Sequence, residues 1–192
     1  MGRSRSRRPA PAPDLHASFP ETGRPPAPSL ASATLPRVWQ GIGYRPLPDA
    51  AAARPLFDFA AVPWPGAPPA LAWGAYAAGG RGERLVGALV GEQHRADVLL
   101  HGPVVSTDDG LDEPLEVAAQ LVAAALDHAG ALGGSTIFAR PQGLDRIWVR
   151  FGFIPVPEVT LPAPLAGRAG VGLYAWRGGS ALWTLREAVQ HQ

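Results

Sequence analysis

The side chains best suited to proton transfer gather around one segment, DVLLHGPVVS, residues 97–106. His101 carries an imidazole whose intrinsic pKa, near neutrality, suits it to take or give a proton. Glu92 and His94, in GEQH just upstream, are the next candidates for a base. Arg140 directly follows STIFA, and the ends of strands in α/β sheets are where ligands are received. Its guanidinium could hold a phosphate or a carboxylate. Each has a plainer alternative: a half-buried histidine bonded to backbone, the solvated end of a hairpin, and a surface arginine paired with Asp145.

Composition removes several chemistries. The chain has no cysteine, so disulfides, thiolate metal sites and cysteine nucleophiles are excluded. It has no lysine either, which excludes a Schiff base. His, Asp and Glu do not fall at metal-ligand spacing, and there is no GxSxG or Walker-type loop. Residues 1–36 hold five arginines against Asp14 and Glu21, so the remainder is slightly acidic and has no overall basic character to favour nucleic acid. The six tryptophans could line an aromatic pocket, with core packing as the default account.

The elements that must position these residues follow from pattern. Residues 1–36 are rich in Pro, Ala, Ser and Arg and offer little to bury, which predicts a disordered tail. RSRSRR reads either as an arm for anionic surfaces or nucleic acid, or as a plain extension. The opening has no apolar h-region, and no apolar run is long enough for a bilayer, so a soluble cytoplasmic protein is expected. A domain at 37–192 starts with a strand, VWQGIGYRPLP, and a helix capped by Asp49 that Pro55 kinks or divides. Then come ALAWGAYAA and RLVGALVGEQH, a hairpin across GGRGE, and a tight connection at Arg95–Ala96 into DVLLHGPVVS. The helix DEPLEVAAQLVAAALDHAG follows, with Leu115, Ala119, Val122 and Leu126 as its apolar stripe and His128 opposite. STIFARP is the next strand, making a parallel βαβ unit. A short helix ending in FGF, FIPVPEVTL, a closing strand GVGLYAWR and a helix over 180–191 complete the chain; Leu182, Leu185 and Val189 would dock that helix on the sheet or on a second subunit. The fold class is thus α/β, an α+β mixed sheet in which an antiparallel meander precedes the βαβ unit.

This order, together with YRPLPDA, HGPVVS, IWVRFGFIPVPE and GVGLYAWR, resembles the GNAT superfamily of acyl-CoA-dependent N-acyltransferases over roughly residues 40–178. The resemblance implies splayed central strands that receive the pantetheine arm of acetyl-CoA, with Val104, Val105, Ser106 and Thr107 as its contacts. Gly102-Pro103 suits such a departure, since both residues favour bulges and strand ends. His101 stands on the strand that carries the family's catalytic carboxylate, which makes it the first candidate base, with Glu92 and His94 of the preceding strand next; Pro103 and Val105 are expected on its face. Arg140 and Trp148 fall on the substrate side.

Three family signatures are altered, one being an asparagine upstream of the general acid whose place falls on Pro141. The pyrophosphate loop becomes Gly110-Leu111-Asp112-Glu113-Pro114-Leu115, which with Asp108 and Asp109 sets four carboxylates at the head of the helix. Those acids suit a helix N-terminus better than they suit an anionic cofactor. Trp148 stands where the family has its general-acid tyrosine, and indole does not ionise usefully. The implied function is acetyl transfer from acetyl-CoA to a small-molecule or peptide amine. The alternative is an inactive GNAT-like module for binding or homodimerisation.

Overall fold

Strand after strand pairs with its sequence neighbour until the sheet meets a long helix. The computed structural model describes residues 28–80, 82–106, 113–166 and 182–185. A single helical turn α1 (Leu30–Ala33), capped by the Ser29 side chain, precedes the hairpin of β1 (Arg37–Trp39) and β2 (Ile42–Pro46). A 3-10 turn (Ala50–Ala53) leads into α2 (Arg54–Phe59), then β3 (Leu71–Gly79), β4 (Gly82–His94) and β5 (Asp97–Val105) form the meander. Next come α3 (Pro114–Ala131), β6 (Thr136–Ala139), α4 (Asp145–Arg150), β7 (Phe153–Val156), a 3-10 turn (Glu158–Thr160) and β8 (Leu182–Leu185). The eight strands form one sheet in the order β1-β2-β3-β4-β5-β6-β8-β7. Among the described strands only β5 and β6 are parallel, joined through α3 as the βαβ pattern requires.

Each face of the sheet has its own cover. α3 lays Val117, Leu121, Val122 and Ala125 on Trp73, Leu89, Val98 and Leu100. Burial of each larger aliphatic there contributes about 1.5–3 kcal/mol. On the other face, Ala53 and Phe57 of the divided helix cover Ala72, Ala88, Val90 and Val104. Asp49 does cap that helix, its side chain accepting from Ala51 N, and the break into 3-10 and α pieces falls at Arg54–Pro55. Gly152, at φ 85°, ends α4 in the left-handed region that glycine adopts without Cβ strain.

Several expectations are corrected. VWQGIGYRPLP is a hairpin rather than one strand, because Gln40 and Gly41 both take positive φ and reverse the chain. The buried stripe of α3 is rotated from the expected one: Leu115 is 55% exposed, whereas His128 is buried. Residues 182–185 are a strand, with Leu182 buried and Thr184 pairing with both Phe138 and Ile154. The remainder of the expected 180–191 helix and the GVGLYAWR strand lie outside the described residues. Within the stretch expected to be disordered, Ala33 is buried and α1 rests on α3.

Candidate functional site

β5 and β6 run together only for four residue pairs, Asp97↔Thr136 through Leu100↔Ala139. Beyond them β5 continues to Val105 along β4, while the other chain turns away at Arg140-Pro141. Proline supplies no amide to prolong a ladder, and Gln142 and Gly143 then take positive φ. The central strands therefore part, and a cavity of about 300 Å³ lies where they do, at the head of α3. Its walls are Val104 and Val105 of β5, Pro114, Leu115 and Ala118 of α3, Ala60 and Val62 after α2, and Gln142 and Leu144 after β6.

The register along β4 decides what faces where. Val90 lies opposite His101 and Ala88 opposite Val104, so β4 advances two residues where β5 advances three, and a bulge falls at Gly102-Pro103. The extra residue switches alternation. His101 and Val104 thus share the face covered by Phe57, and Val105 turns to the α3 face. The expectation that Pro103 and Val105 share the face of His101 fails for this reason. It also means that the cavity has lining residues from both sides of the sheet.

The structure brings His101 and Glu92 together. His101 Nε2 lies 2.9 Å from Glu92 Oε2, with the two residues 4% and 2% exposed. Glu92 Oε1 also accepts from Ala67 N at 3.2 Å, from the loop before β3. The bonds from Ala67 N and between Nε2 and Oε2 offset part of the cost of burying this pair, since an unmatched polar atom costs about 1–3 kcal/mol. His94, two residues on, is only half-buried and does not join them.

The remaining predicted residues divide. Val104 and Val105 line the cavity; Ser106 N donates to Val86 O at 2.8 Å and so extends the β4 ladder; Thr107 lies outside the described residues. Arg140 is 1% exposed, and its guanidinium grips Glu158 at 2.6 and 3.1 Å rather than Asp145. Its Nε is buried without a partner. Trp148 is 0% exposed within the α3-side core, edge-on to Phe153 at 4.8 Å between centroids. It is a packing residue and does not meet the cleft, which corrects its assignment to the substrate side. Tyr44 offers no replacement acid: burial, with the nearby Glu116 charge second, pushes its hydroxyl up to about 12.

The head of α3 presents few amides. Pro114 occupies its first turn without one, and Glu116 N and Val117 N both donate to Glu113 O, at 3.0 and 3.1 Å. Among the described residues, no arginine lines the cavity. The cleft therefore suits an extended, uncharged arm of methylenes and amides better than a diphosphate. Among the described residues there is no group of three or more His, Asp or Glu able to hold a metal, and no helix is long and apolar enough to cross a membrane. Ala67, Glu158 and Gln142 were not singled out from sequence; of them only Gln142 carried a signal, the Pro-Gln-Gly turn.

No family model and no curated protein matches the sequence. Among solved structures, the chain is similar to N-acetylglutamate synthase from Neisseria gonorrhoeae, complexed with coenzyme A and N-acetyl-glutamate. The TM-score is 0.51 at 16% identity, covering 79% of this chain and 36% of the synthase. Looser similarity extends to a GNAT-family acetyltransferase from Staphylococcus aureus Mu50 (TM-score 0.44, 11% identity, 59% of this chain and 65% of that one). A GNAT-family N-acetyltransferase from Escherichia coli in complex with CoA scores 0.41 at 16% identity, with 71% and 66% covered. The chain thus spans little more than a third of the synthase's length, and less than two thirds of the other two. With its meander, its single parallel βαβ unit, its parted central strands and its likeness to the synthase, the chain has a GNAT-like fold.

Proposed function

We propose that the chain is an N-acyltransferase that moves an acetyl group from acetyl-CoA to an amine. The observation that supports this most is the parting of β5 from β6 after Leu100 and Ala139, with an apolar cavity at the opening. Acetyl-CoA, when bound, supplies the activated acyl thioester. Val104 and Val105 present a backbone edge that β6 has left free, and Leu115 and Ala118 give the arm an apolar wall. The amine nitrogen forms its bond to the acyl carbon as the carbon–sulfur bond breaks. The amine's proton passes to His101, which lies on the same sheet face as Val104. With Trp148 buried, the leaving thiolate takes its proton from solvent.

A second reading is favoured by the head of α3, where Pro114 lacks an amide and Glu113 adds a carboxylate that would repel a diphosphate. On that reading the chain is a GNAT-like module without transferase activity, whose cleft holds a different ligand. Calorimetric titration with acetyl-CoA separates the two. Binding, followed by thiol release with a panel of primary amines, supports the transferase; no binding at millimolar acetyl-CoA overturns it. The chain has no cysteine, so any thiol that develops is that of the released CoA.

A further inference from the structure

We infer that Glu92 is a positioning residue that fixes the tautomer of His101, so that Nδ1 is the atom able to accept a proton. This deepens the transferase reading and rests on it. The argument starts from Ala67, whose amide donates to Glu92 Oε1 at 3.2 Å. An N–H aimed at that oxygen favours the carboxylate over the carboxylic acid. The other oxygen, Oε2, then faces His101 Nε2 at 2.9 Å as an acceptor, so Nε2 must carry the hydrogen. A neutral ring has one N–H, which leaves the lone pair on Nδ1, and Nδ1 makes no hydrogen bond to a described residue. The two strands hold this geometry between them: Val90 lies opposite His101 and Glu92 is the next β4 residue on that face, both beside the bulge at Gly102-Pro103.

The same hydrogen bonds predict what a single atom change does. In Glu92→Gln the atom under the Ala67 amide must be the carboxamide oxygen, since an NH2 there would set donor against donor. The NH2 is thereby turned to His101 Nε2, which must become the acceptor, and the ring proton moves to Nδ1. The variant is nearly isosteric and still hydrogen-bonded, yet it places the proton on the atom that should receive one.

Long-range proton–nitrogen NMR of the 15N-labelled full chain reads the tautomer directly, with the His101 ring assigned by its loss in His101→Asn. The expected result is an Nε2–H ring in the wild type at pH 8 and an Nδ1–H ring in Glu92→Gln. An Nδ1–H or doubly protonated ring in the wild type overturns the inference, as does an unchanged tautomer in the variant. Should the variant not fold, the wild-type spectrum alone decides. Acetyl-CoA titration separates this from the parent reading: Glu92→Gln should bind acetyl-CoA within about twofold of wild type. Its kcat for any amine found to be acetylated should fall about 10²- to 10⁴-fold with little change in KM for acetyl-CoA. A KM effect with kcat preserved overturns the positioning role. A wild type that does not bind acetyl-CoA overturns the transferase reading, and the tautomer still reports on the pair.

Discussion

Trp73 Nε1 donates to His128 Nδ1 at 3.2 Å, fastening the third strand to the far half of the long helix through two buried side chains. The rings meet edge to face, 6.3 Å between centroids. Burial pushes the His128 imidazole down from its ordinary value, because charging it means desolvating a cation, and protonation of Nδ1 would also set two donors against each other. A histidine whose folded pKa lies below its unfolded one binds protons more readily when unfolded. The stability it contributes is therefore present above about pH 6.5 and is lost as pH falls toward the folded value. Thermal melts between pH 8 and pH 5 should show an acid-side decline that is smaller in His128→Asn, whose side-chain oxygen accepts from Trp73 without titrating. Parallel declines in the two proteins would discount His128 as the source.

The cleft makes a prediction about the donor. An apolar cavity with no arginine among its described lining residues, next to a helix start that Pro114 deprives of an amide, should gain little from the nucleotide end of acetyl-CoA. S-acetylpantetheine should therefore bind within about tenfold of acetyl-CoA. Raising salt from 50 to 500 mM should leave acetyl-CoA affinity unchanged or slightly better, since it screens the Glu113 carboxylate at the head of α3. A steep loss of affinity with salt would show that cations hold the diphosphate after all.

Gly102 has φ +90°, and a Cβ placed there would meet Val104 N at 3.1 Å, Ala88 O at 3.2 Å and Phe57 Cζ at 3.3 Å. Two of those atoms are backbone and cannot swing away. Gly102→Ala should cost about 1–3 kcal/mol in denaturant titration. Gly130, inside α3 with open space around its Cβ position, should do the opposite: Gly130→Ala is expected to stabilise by about 0.5–1 kcal/mol.

Arg140 is buried beneath the turn at Glu158, which is itself partly exposed. Glu158→Gln should cost about 1–3 kcal/mol, because a buried guanidinium loses its charged partner. Arg140→Met in the same background should recover most of that loss. Additive losses in the double variant would mean that the pair is not coupled.

What could be read from sequence was what local chemistry dictates. Asp49 announces its helix by an oxygen within reach of Ala51 N, and the turns at Gly79–Gly82 and Gly152 need backbone that glycine supplies. The adjacency of His101 and Glu92 was half legible: two candidate bases on consecutive strands, with nothing to say that the hairpin register would join them. The face shared with Val104 was not legible, because one bulge residue reverses alternation beyond it. His128 was assigned to the polar side of its helix because its partner, Trp73, is 55 positions away. LWTL has both helical and extended readings. A gap between β6 and β7 decided for the strand, and such a gap is a property of the sheet rather than of four residues.

The place of β8 has a consequence for how the molecule is made. β6, which the cleft requires to stop short of β5's end, has β5 on one side and β8 on the other. The strand that completes its hydrogen bonding is separated from it by more than forty residues, Ala139 to Leu182. During synthesis, two strand edges stay open until that late segment has left the ribosome, and closure over such a separation is slow. A released chain ending at residue 166 should thus bind chaperones and lack any ordered ligand cleft, whereas the released full chain should have both edges sealed.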